Sequence, residues 1–170
     1  YSWFLRSKEL SNDYAPKTLV VRDALKRSET FFNKKYDVII DLDVSSPLRY
    51  IKDVTNAYKF FLKKKANFLI SASRSRKNPY FNILENKKNK VNFVKIKKKY
   101  TRRQDAPKTY DANSSIYIWK RKELLNFKSL FPKKTVIYEM PAERSWDIDN
   151  KFDLYIVKNI MKDKFKKYNL

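Results

Sequence analysis

Two short apolar runs that flank an amphipathic segment constrain the fold more than any other feature of the sequence. The first run is DVIIDL at residues 37–42, and the second is FLISA at residues 68–72. Continuous apolar runs of this length are typical of strands buried on both faces of a parallel sheet. Between them, residues 51–64 carry apolar side chains at helical spacing. The order strand, helix, strand indicates a βαβ unit, which predicts the α/β class with a parallel sheet.

Further elements are predicted on the same grounds. They are helices over residues 18–31, 120–126 and 150–168, strands over 115–119 and 135–139, and a hairpin of 80–84 and 91–96 around the polar ENKKNK. Residues 97–113 are expected to form a long basic and polar loop. No internal repeat or linker divides the chain, so we expect residues 1–170 to form a single domain.

The composition limits the available chemistry. With 42% apolar residues in 170, the chain is long and apolar enough for one sizeable core. It contains no cysteine and no histidine, which excludes disulfides, thiolate metal sites and imidazole catalysis. Zinc is therefore not expected. Glycine is also absent, so every tight turn must form without the most permissive residue.

The absence of targeting signals and the net charge indicate where the protein is expected to be located and what it is expected to bind. No apolar run approaches the length of a membrane span and no signal peptide opens the chain, so we expect a soluble cytoplasmic protein that binds no membrane. The first residue is Tyr1 rather than Met, which suggests a piece of a longer protein. The formal net charge of +22 is compatible with a polyanionic partner. Because codon bias toward Lys explains it equally well, and aromatic residues are not interleaved with Arg, we expect attraction to phosphorylated substrates but not to nucleic acid.

Two closely spaced carboxylates stand out in this basic chain, Asp147 and Asp149 of RSWDIDNKFD. In an extended segment residues i and i+2 point to the same side, so both could bind one cation. Oxygen ligands suit Mg²⁺ or Ca²⁺, and Mg²⁺ is usually held by one or two carboxylates plus substrate phosphates. The alternative is that Asp149 caps the following helix while Asp147 is solvated. Spacing alone favours the cap.

The polar loop DVSSPLR, residues 43–49, follows the first predicted strand, and ligands of open α/β sheets bind beyond the carboxyl ends of strands. This loop and three other segments together resemble the CMP-nonulosonic acid synthetases, the family that includes the CMP-sialic acid synthetases. The segments are DLDVSSPLR (41–49), KNPYFNILE (77–85), RRQDAPKTYDANSSIYIW (102–119) and MPAERSWDIDNKFD (140–153). FLRSKELSNDYAP, residues 4–16, is similar to the segment after the family's second strand.

This resemblance implies a Rossmann-like nucleotide-diphosphosugar transferase fold with a largely parallel sheet. The implied enzyme is a nucleotidyltransferase: the anomeric hydroxyl of a nonulosonic acid attacks the α-phosphate of CTP and pyrophosphate leaves, with Mg²⁺ required. The sugar would be of the sialic, legionaminic or pseudaminic type. The competing hypotheses are a non-catalytic basic module that binds nucleic acid and a decayed, inactive homologue.

The resemblance also assigns roles to single residues. It implies that Asp147 and Asp149 bind the metal, which reverses the preference for a cap, and that Arg103 pairs with the sugar carboxylate. Implied substrate contacts are Arg6 on the nucleotide side and Asp43, Ser45, Ser46, Gln104, Asn113 and Tyr117 on the sugar side. Composition alone would favour an ordinary surface arginine at position 6 or 103 and an ordinary turn at 43–49. The family's sialic acid enzymes commonly have Gln at the place of Asp43, so Asp indicates the legionaminic or pseudaminic branch.

The sequence departs from the family's pattern at three places. The family's N-terminal strand and Gly-rich phosphate loop are missing, so the isolated 170-residue chain is expected to be inactive. Ser114 stands where Gly is usual, which implies an altered turn, and Lys17 replaces a small hydroxyl residue on the nucleotide side. The family's homodimer further implies that residues 78–113 form a β-hairpin dimerisation arm.

Overall fold

The computed structural model describes residues 3–95, 100–126, 129 and 131–167, with side chains to Asp163. In this part of the chain helices cover both faces of a four-stranded sheet, and a two-stranded hairpin stands apart from it. The helices are α1 (Lys17–Phe31), α2 (Ile51–Lys63), α3 (Arg121–Leu125) and α4 (Lys151–Lys167). The strands are β1 (Val38–Leu42), β2 (Phe68–Arg74), β3 (Leu84–Lys87), β4 (Lys90–Phe93), β5 (Tyr110–Lys120) and β6 (Thr135–Met140).

The strand order of the larger sheet is β1-β5-β2-β6. Strands β1 and β2 run in the same direction and are joined by α2, so the predicted βαβ unit and the α/β class are confirmed. However, β5 lies between them and runs antiparallel to both, while only β2 and β6 pair in parallel among the described strands. The sheet is therefore mixed, and the expectation of a largely parallel sheet is corrected. Strand β5 begins at Tyr110, inside the segment expected to be a loop.

The position of β1 also differs from the prediction. In the described part of the chain β1 pairs with β5 alone, and Ile40 and Leu42 are 40% and 39% exposed. It is thus an edge strand, whereas β2 is central and carries the buried Phe68, Leu69 and Ala72. An apolar run predicts a strand, but it cannot distinguish the centre of a sheet from an edge that packs on one face.

Two apolar layers hold the sheet. On the α2 side, Phe61 packs with Leu69, Ile116 and Ile118. On the opposite side, the residues of β5 that alternate with these, Tyr117 and Trp119, pack with elements of α1 and α3. Strand β5 therefore contributes side chains to both apolar layers. The loops that follow the strands extend from a sheet that is packed on both faces.

The predicted hairpin around ENKKNK is present, but its strands are shorter and its turn is tighter than predicted. Strands β3 and β4 enclose a turn at Lys88 and Asn89, whose φ angles are 50° and 62°. Two consecutive positive φ values are typical of a type I′ hairpin, which usually employs glycine. The prediction placed ENKKNK in the turn, but most of it forms strand, because an exposed ribbon tolerates charged side chains. The end of the predicted second strand, Ile96, lies outside the described residues, as does Tyr168 at the end of the predicted last helix.

None of the helices in the described residues combines the length and apolar character needed to cross a membrane. The last helix begins at Lys151, one residue after its predicted start.

A buried carboxylate links α1 to the start of α3. The guanidinium of Arg121 donates to both oxygens of Glu29, at 2.7 and 2.9 Å, and Lys35 lies 3.3 Å from the same group. The backbone N–H of Tyr36 also donates to Glu29. These bonds, above all that from Arg121, outweigh burial and lower the pKa of Glu29 to about 2.

We predict that Glu29→Gln lowers the melting temperature by several degrees at neutral pH, because the neutral amide cannot reproduce the charged pair. In the parent protein, the stability contributed by ionised Glu29 is complete above its ordinary pKa of 4.5 and is lost as pH falls toward about 2. The difference between variant and parent should therefore narrow over this range. Thermal unfolding followed by circular dichroism measures it, with the exposed Glu85→Gln as control. A difference that stays constant with pH would contradict the assignment.

Candidate active site

Three segments meet at one edge of the sheet. These are the loop of residues 43–49 after β1, a bulge in β5, and residues 141–149 after β6. Strands β1 and β6 both run parallel to β2, so their carboxyl ends lie at the same edge. The N–H of Ile148 donates to the carbonyl of Ser45 at 2.9 Å, and the Ser46 hydroxyl donates to the Asn113 carbonyl at 2.8 Å. The predicted ligand-binding edge is thus where these segments are joined.

The side chain of Asn113 holds this junction together. Its Oδ1 accepts from the Ser71 hydroxyl at 2.7 Å and from the Ser115 N–H at 3.3 Å. Its Nδ2 donates to the Ser145 hydroxyl at 2.9 Å and approaches the Met140 sulfur at 3.5 Å. Asn113 is buried and its hydrogen-bonding capacity is used within the protein. A direct contact with a sugar, as the resemblance implies, would require these bonds to break.

The bulge in β5 keeps its turn without glycine. The partners of Ile70 and Ala72 in β5 are Tyr117 and Ala112, so extra residues of β5 loop out opposite Ser71. Within them Ser114 has φ 50°, in the left-handed region where glycine is favoured. Ser114 thus has a backbone conformation of the kind for which the family's usual glycine is suited. Serine adopts the conformation at a cost of about 1 kcal/mol.

Arg49 fixes the loop of residues 43–49 from within. Its Nη1 donates to the carbonyls of Asp43 and Ser46, at 2.6 Å each. In the same loop Ser46 is fully buried, so its predicted contact with a sugar hydroxyl would require the loop to open. Ser45 is half-buried, and its N–H and hydroxyl both donate to Asp43 Oδ1 at 3.1 and 3.0 Å.

Arg144 anchors the segment after β6. Its guanidinium donates to both oxygens of the buried Asp53 at the start of α2, at 2.9 and 2.8 Å, and lies over the Tyr50 ring. Asp53 also accepts from the Tyr50 N–H, which closes the first turn of α2. Sequence reasoning missed Arg49 and Arg144. Both lie inside the segments that carry the resemblance, but among 40 basic residues nothing else distinguishes them.

Asp147 and Asp149 flank the anchored Ile148. Asp147 is half-buried and Asp149 is exposed, and neither forms an ion pair within the described residues. Burial raises the pKa of Asp147; the bond from its own N–H opposes this, and the charges of Asp149, Asp153 and Asp43 add to the rise. No cluster of three or more acidic residues arranged for a metal occurs in the described part of the chain. Two oxygen donors amid concentrated negative charge nevertheless fit Mg²⁺, whose other ligands commonly come from substrate phosphates.

The cap of α4 is Asn150, not Asp149. Asn150 Oδ1 accepts from the N–H groups of Phe152 and Asp153, at 2.8 and 3.1 Å. In return Asp153 Oδ2 accepts from the Asn150 N–H at 3.1 Å, which completes a capping box. The alternative that Asp149 caps this helix is therefore wrong, and the placement of Asp153 in the first turn is confirmed.

Asp43 is neutralised by a lysine. Lys17 Nζ lies 2.7 Å from Asp43 Oδ2, 3.2 Å from Asp41 Oδ2 and 4.3 Å from the centre of the Tyr117 ring. Burial would raise the pKa of Asp43, but the bonds from Lys17 and Ser45 outweigh it and lower the pKa. Sequence reasoning noted Lys17 only as a departure from the family, since its two partners lie 24 and 26 residues away.

Lys17 and Asp41 border two cavities. One, of about 310 Å³, is also lined by Arg6 and Asp43. The other, of about 320 Å³, is mainly apolar and is also lined by Tyr117, with Phe68, Ile70, Trp119 and Phe131 among the further residues. The structure thus brings Arg6, Asp43 and Tyr117 to adjoining cavities. Arg6 borders a larger cavity of about 570 Å³ along β1 as well.

Arg103 and Gln104 lie elsewhere on the surface. Both are exposed in a short turn, Arg103–Asp105. Arg103 lines a separate pocket of about 130 Å³ together with Arg74, Arg76 and Lys77. The structure therefore does not bring these two predicted residues into either cavity beside Lys17, although it surrounds Arg103 with further positive charge.

Comparison with known proteins identifies close relatives, whereas no protein-family model matches the chain. The post-translational flagellin modification protein B of Campylobacter coli is 43% identical over 95% of this chain and 68% of the relative. The CMP-N,N'-diacetyllegionaminic acid synthase of Campylobacter jejuni is 44% identical over 91% of this chain and 66% of the relative. The N-acylneuraminate cytidylyltransferase of Streptococcus agalactiae is 31% identical over 88% of this chain and 35% of the relative. The chain thus spans about two thirds of the length of the first two relatives.

We predict that Arg144→Met destabilises the protein by about 3 kcal/mol, because it removes the bidentate partner of a buried carboxylate. Urea unfolding measures the loss. The matched control is Arg102→Met, which removes a bidentate pair with Asp105 that is largely exposed. It should cost at most about 1 kcal/mol. Similar losses in the two variants would show that the Arg144 pair does not hold the segment.

Proposed function

Because the chain belongs to the CMP-nonulosonic acid synthetase family, we propose that its protein transfers CMP from CTP to the anomeric hydroxyl of a nonulosonic acid and releases pyrophosphate. The family predicted from the sequence is confirmed by these relatives, two of which are named as a CMP-sugar synthase and a cytidylyltransferase. Since the chain spans about two thirds of the first two relatives, the activity is best tested in the protein encoded by the complete gene.

One observation carries the proposal: the bond from the Ile148 N–H to the Ser45 carbonyl. It joins the backbone between Asp147 and Asp149 to the loop that follows β1. Phosphoryl transfer depends mainly on positioning and on charge neutralisation. Here a backbone hydrogen bond fixes the segment with the two acidic residues relative to the polar loop. A capping role no longer competes for Asp149, because Asn150 caps α4.

In this proposal Asp147 and Asp149 hold Mg²⁺, which when bound neutralises charge on the phosphate oxygens. Arg6 would face the nucleotide from the cavity that it shares with Lys17 and Asp43. A guanidinium suits this task because its planar fork can donate to phosphate in pairs.

The cavity beside Tyr117 fits the sugar. It is lined largely by aromatic and aliphatic side chains, yet Lys17 and Asp41 stand at its border. The methyl groups of acylated amino substituents are apolar, and the ring hydroxyls are polar, so such a surface suits both parts of an acylated nonulosonic acid. Arg103 would pair with the sugar carboxylate only if its segment moved toward this cavity, because Arg103 lies in a separate pocket with Arg74, Arg76 and Lys77.

Two observations favour a sugar of the legionaminic type. Asp43 stands where the sialic acid enzymes of the family commonly have glutamine, which indicates the legionaminic or pseudaminic branch. The identity to the legionaminic acid synthase is 44%, against 31% to the N-acylneuraminate enzyme and 28% to the pseudaminic acid cytidylyltransferase of Campylobacter jejuni. N,N'-diacetyllegionaminic acid is therefore the first substrate to test.

The hairpin of β3 and β4 is suited to join two copies of the chain. Leu84 pairs with Phe93 and Asn86 with Val91, so the three apolar residues share one face of the ribbon. All of them are exposed, with Leu84 and Val91 at 59% and 62%. An apolar face of this kind is costly in water, and a second copy that covers it would make the protein a homodimer with residues 78–113 as the arm.

We predict that Asp147→Asn and Asp149→Asn each reduce kcat by at least about 100-fold, because the amide loses the charge that balances the metal ion. Pyrophosphate release is measured with CTP, Mg²⁺ and N,N'-diacetyllegionaminic acid. Asp163→Asn, an exposed position in α4, serves as the control and should leave the rate unchanged. Near-normal rates in both site variants would rule out the proposed metal ligands.

We predict a dimer that Val91→Glu converts to a monomer, since a charge would be buried in the apolar face of the arm. The matched control is Asn92→Glu on the opposite face of the ribbon, which should leave the dimer intact. Sedimentation analysis gives the oligomeric state. A monomeric parent protein, or equal effects of the two variants, would contradict the role of the arm.

A further inference from the structure

We infer that Lys17 is a positioning residue that fixes the loop of residues 43–49 and, through it, the carboxylate pair of Asp147 and Asp149. The inference rests on the function proposed above in one respect, that this pair binds the metal. The structural part, a connection from α1 to the pair, stands on the geometry alone.

The location of Lys17 is not explained by helix stability. It is the first residue of α1, where the helix dipole disfavours a positive charge, and the first turn contains no acidic residue. Its ammonium instead lies between Asp41 and Asp43, at 3.2 and 2.7 Å, over the ring of Tyr117 at 4.3 Å. Three groups from β1, its following loop and β5 thus converge on one cation.

A continuous series of bonds leads from Lys17 to the carboxylate pair. Lys17 binds Asp43 Oδ2, which leaves Oδ1 to accept from the N–H and the hydroxyl of Ser45. The carbonyl of Ser45 then accepts from the N–H of Ile148, between Asp147 and Asp149. Lys17 therefore orients the Asp43 carboxylate, and this carboxylate in turn orients Ser45. Since the Ser45 carbonyl binds the Ile148 N–H, the position of Ile148 depends on the lysine.

The ammonium also prevents repulsion among carboxylates. Asp41 and Asp43 both form ion pairs with Lys17, and the negative charge of Asp43 repels that of Asp147. Without the lysine, only the attraction of Arg49 would offset the repulsion between these two carboxylates, which would favour a more open loop. Although burial opposes a charge on Lys17, the bond to Asp43 and the attraction of Asp41 outweigh it and raise the pKa of Lys17, so the ammonium persists at neutral pH.

The first test measures the connection without catalysis. In Lys17→Met, amide hydrogen exchange at Ser45 and Ile148 should become faster by about tenfold, because Asp43 loses its ion pair with Lys17. Exchange at Leu69, in the central strand, is the reference for global stability and should not change. Lys17→Arg should restore slow exchange, and Lys59→Gln, an exposed site in α2, should have no effect. Unchanged exchange at Ser45 and Ile148 in Lys17→Met would overturn the inference.

The second test measures the Mg²⁺ dependence of pyrophosphate release by the same variants. Lys17→Met should raise the Mg²⁺ concentration for half-maximal rate by about tenfold, as expected when a group that orients metal ligands is lost. A lower Mg²⁺ requirement would overturn the inference, because Lys17 would then compete with the metal. If the parent protein encoded by the complete gene releases no pyrophosphate, the proposed function fails, while the exchange measurement still decides the role of Lys17.

Discussion

The buried carboxamide of Asn113 joins the parts of the chain on which the candidate site depends. It bonds to Ser71 of β2, to the backbone of β5 and to Ser145 after β6, while its own carbonyl accepts from Ser46 after β1. Each of these groups is costly to bury without a partner, so the network is most stable when all the segments are in place at once. Asn113 can contact all these segments because its strand, β5, lies between β1 and β2 in the sheet.

Five of the carboxylates described above lie in two different environments. Asp53 and Glu29 are buried and bound bidentately by arginines, and Asp43 is held by Lys17, so these three carboxylates act as structural anchors. Asp147 and Asp149 lie next to the anchored segments without an ion pair in the described residues.

The sequence predicts some of these features and not others, for identifiable physical reasons. Apolar spacing locates α2 and β2 closely, and the spacing of Asp147 and Asp149 identifies a pair that the fold presents beside the predicted loop. It does not reveal that β5 enters between β1 and β2, because strand order depends on contacts between distant residues. Nor does it reveal the ion pairs of Lys17 and Arg144, because their partners lie many residues away.

The turns formed without glycine have a consequence for the unfolded chain. Positive φ angles occur at Asn33, Lys65, Lys88, Asn89, Ser114 and Lys134, where each side chain carries a steric cost that glycine would avoid. However, every residue here also has a Cβ atom, so the denatured ensemble samples fewer backbone conformations than one that contains glycine. Folding therefore loses less conformational entropy, which offsets part of the steric cost of the left-handed turns.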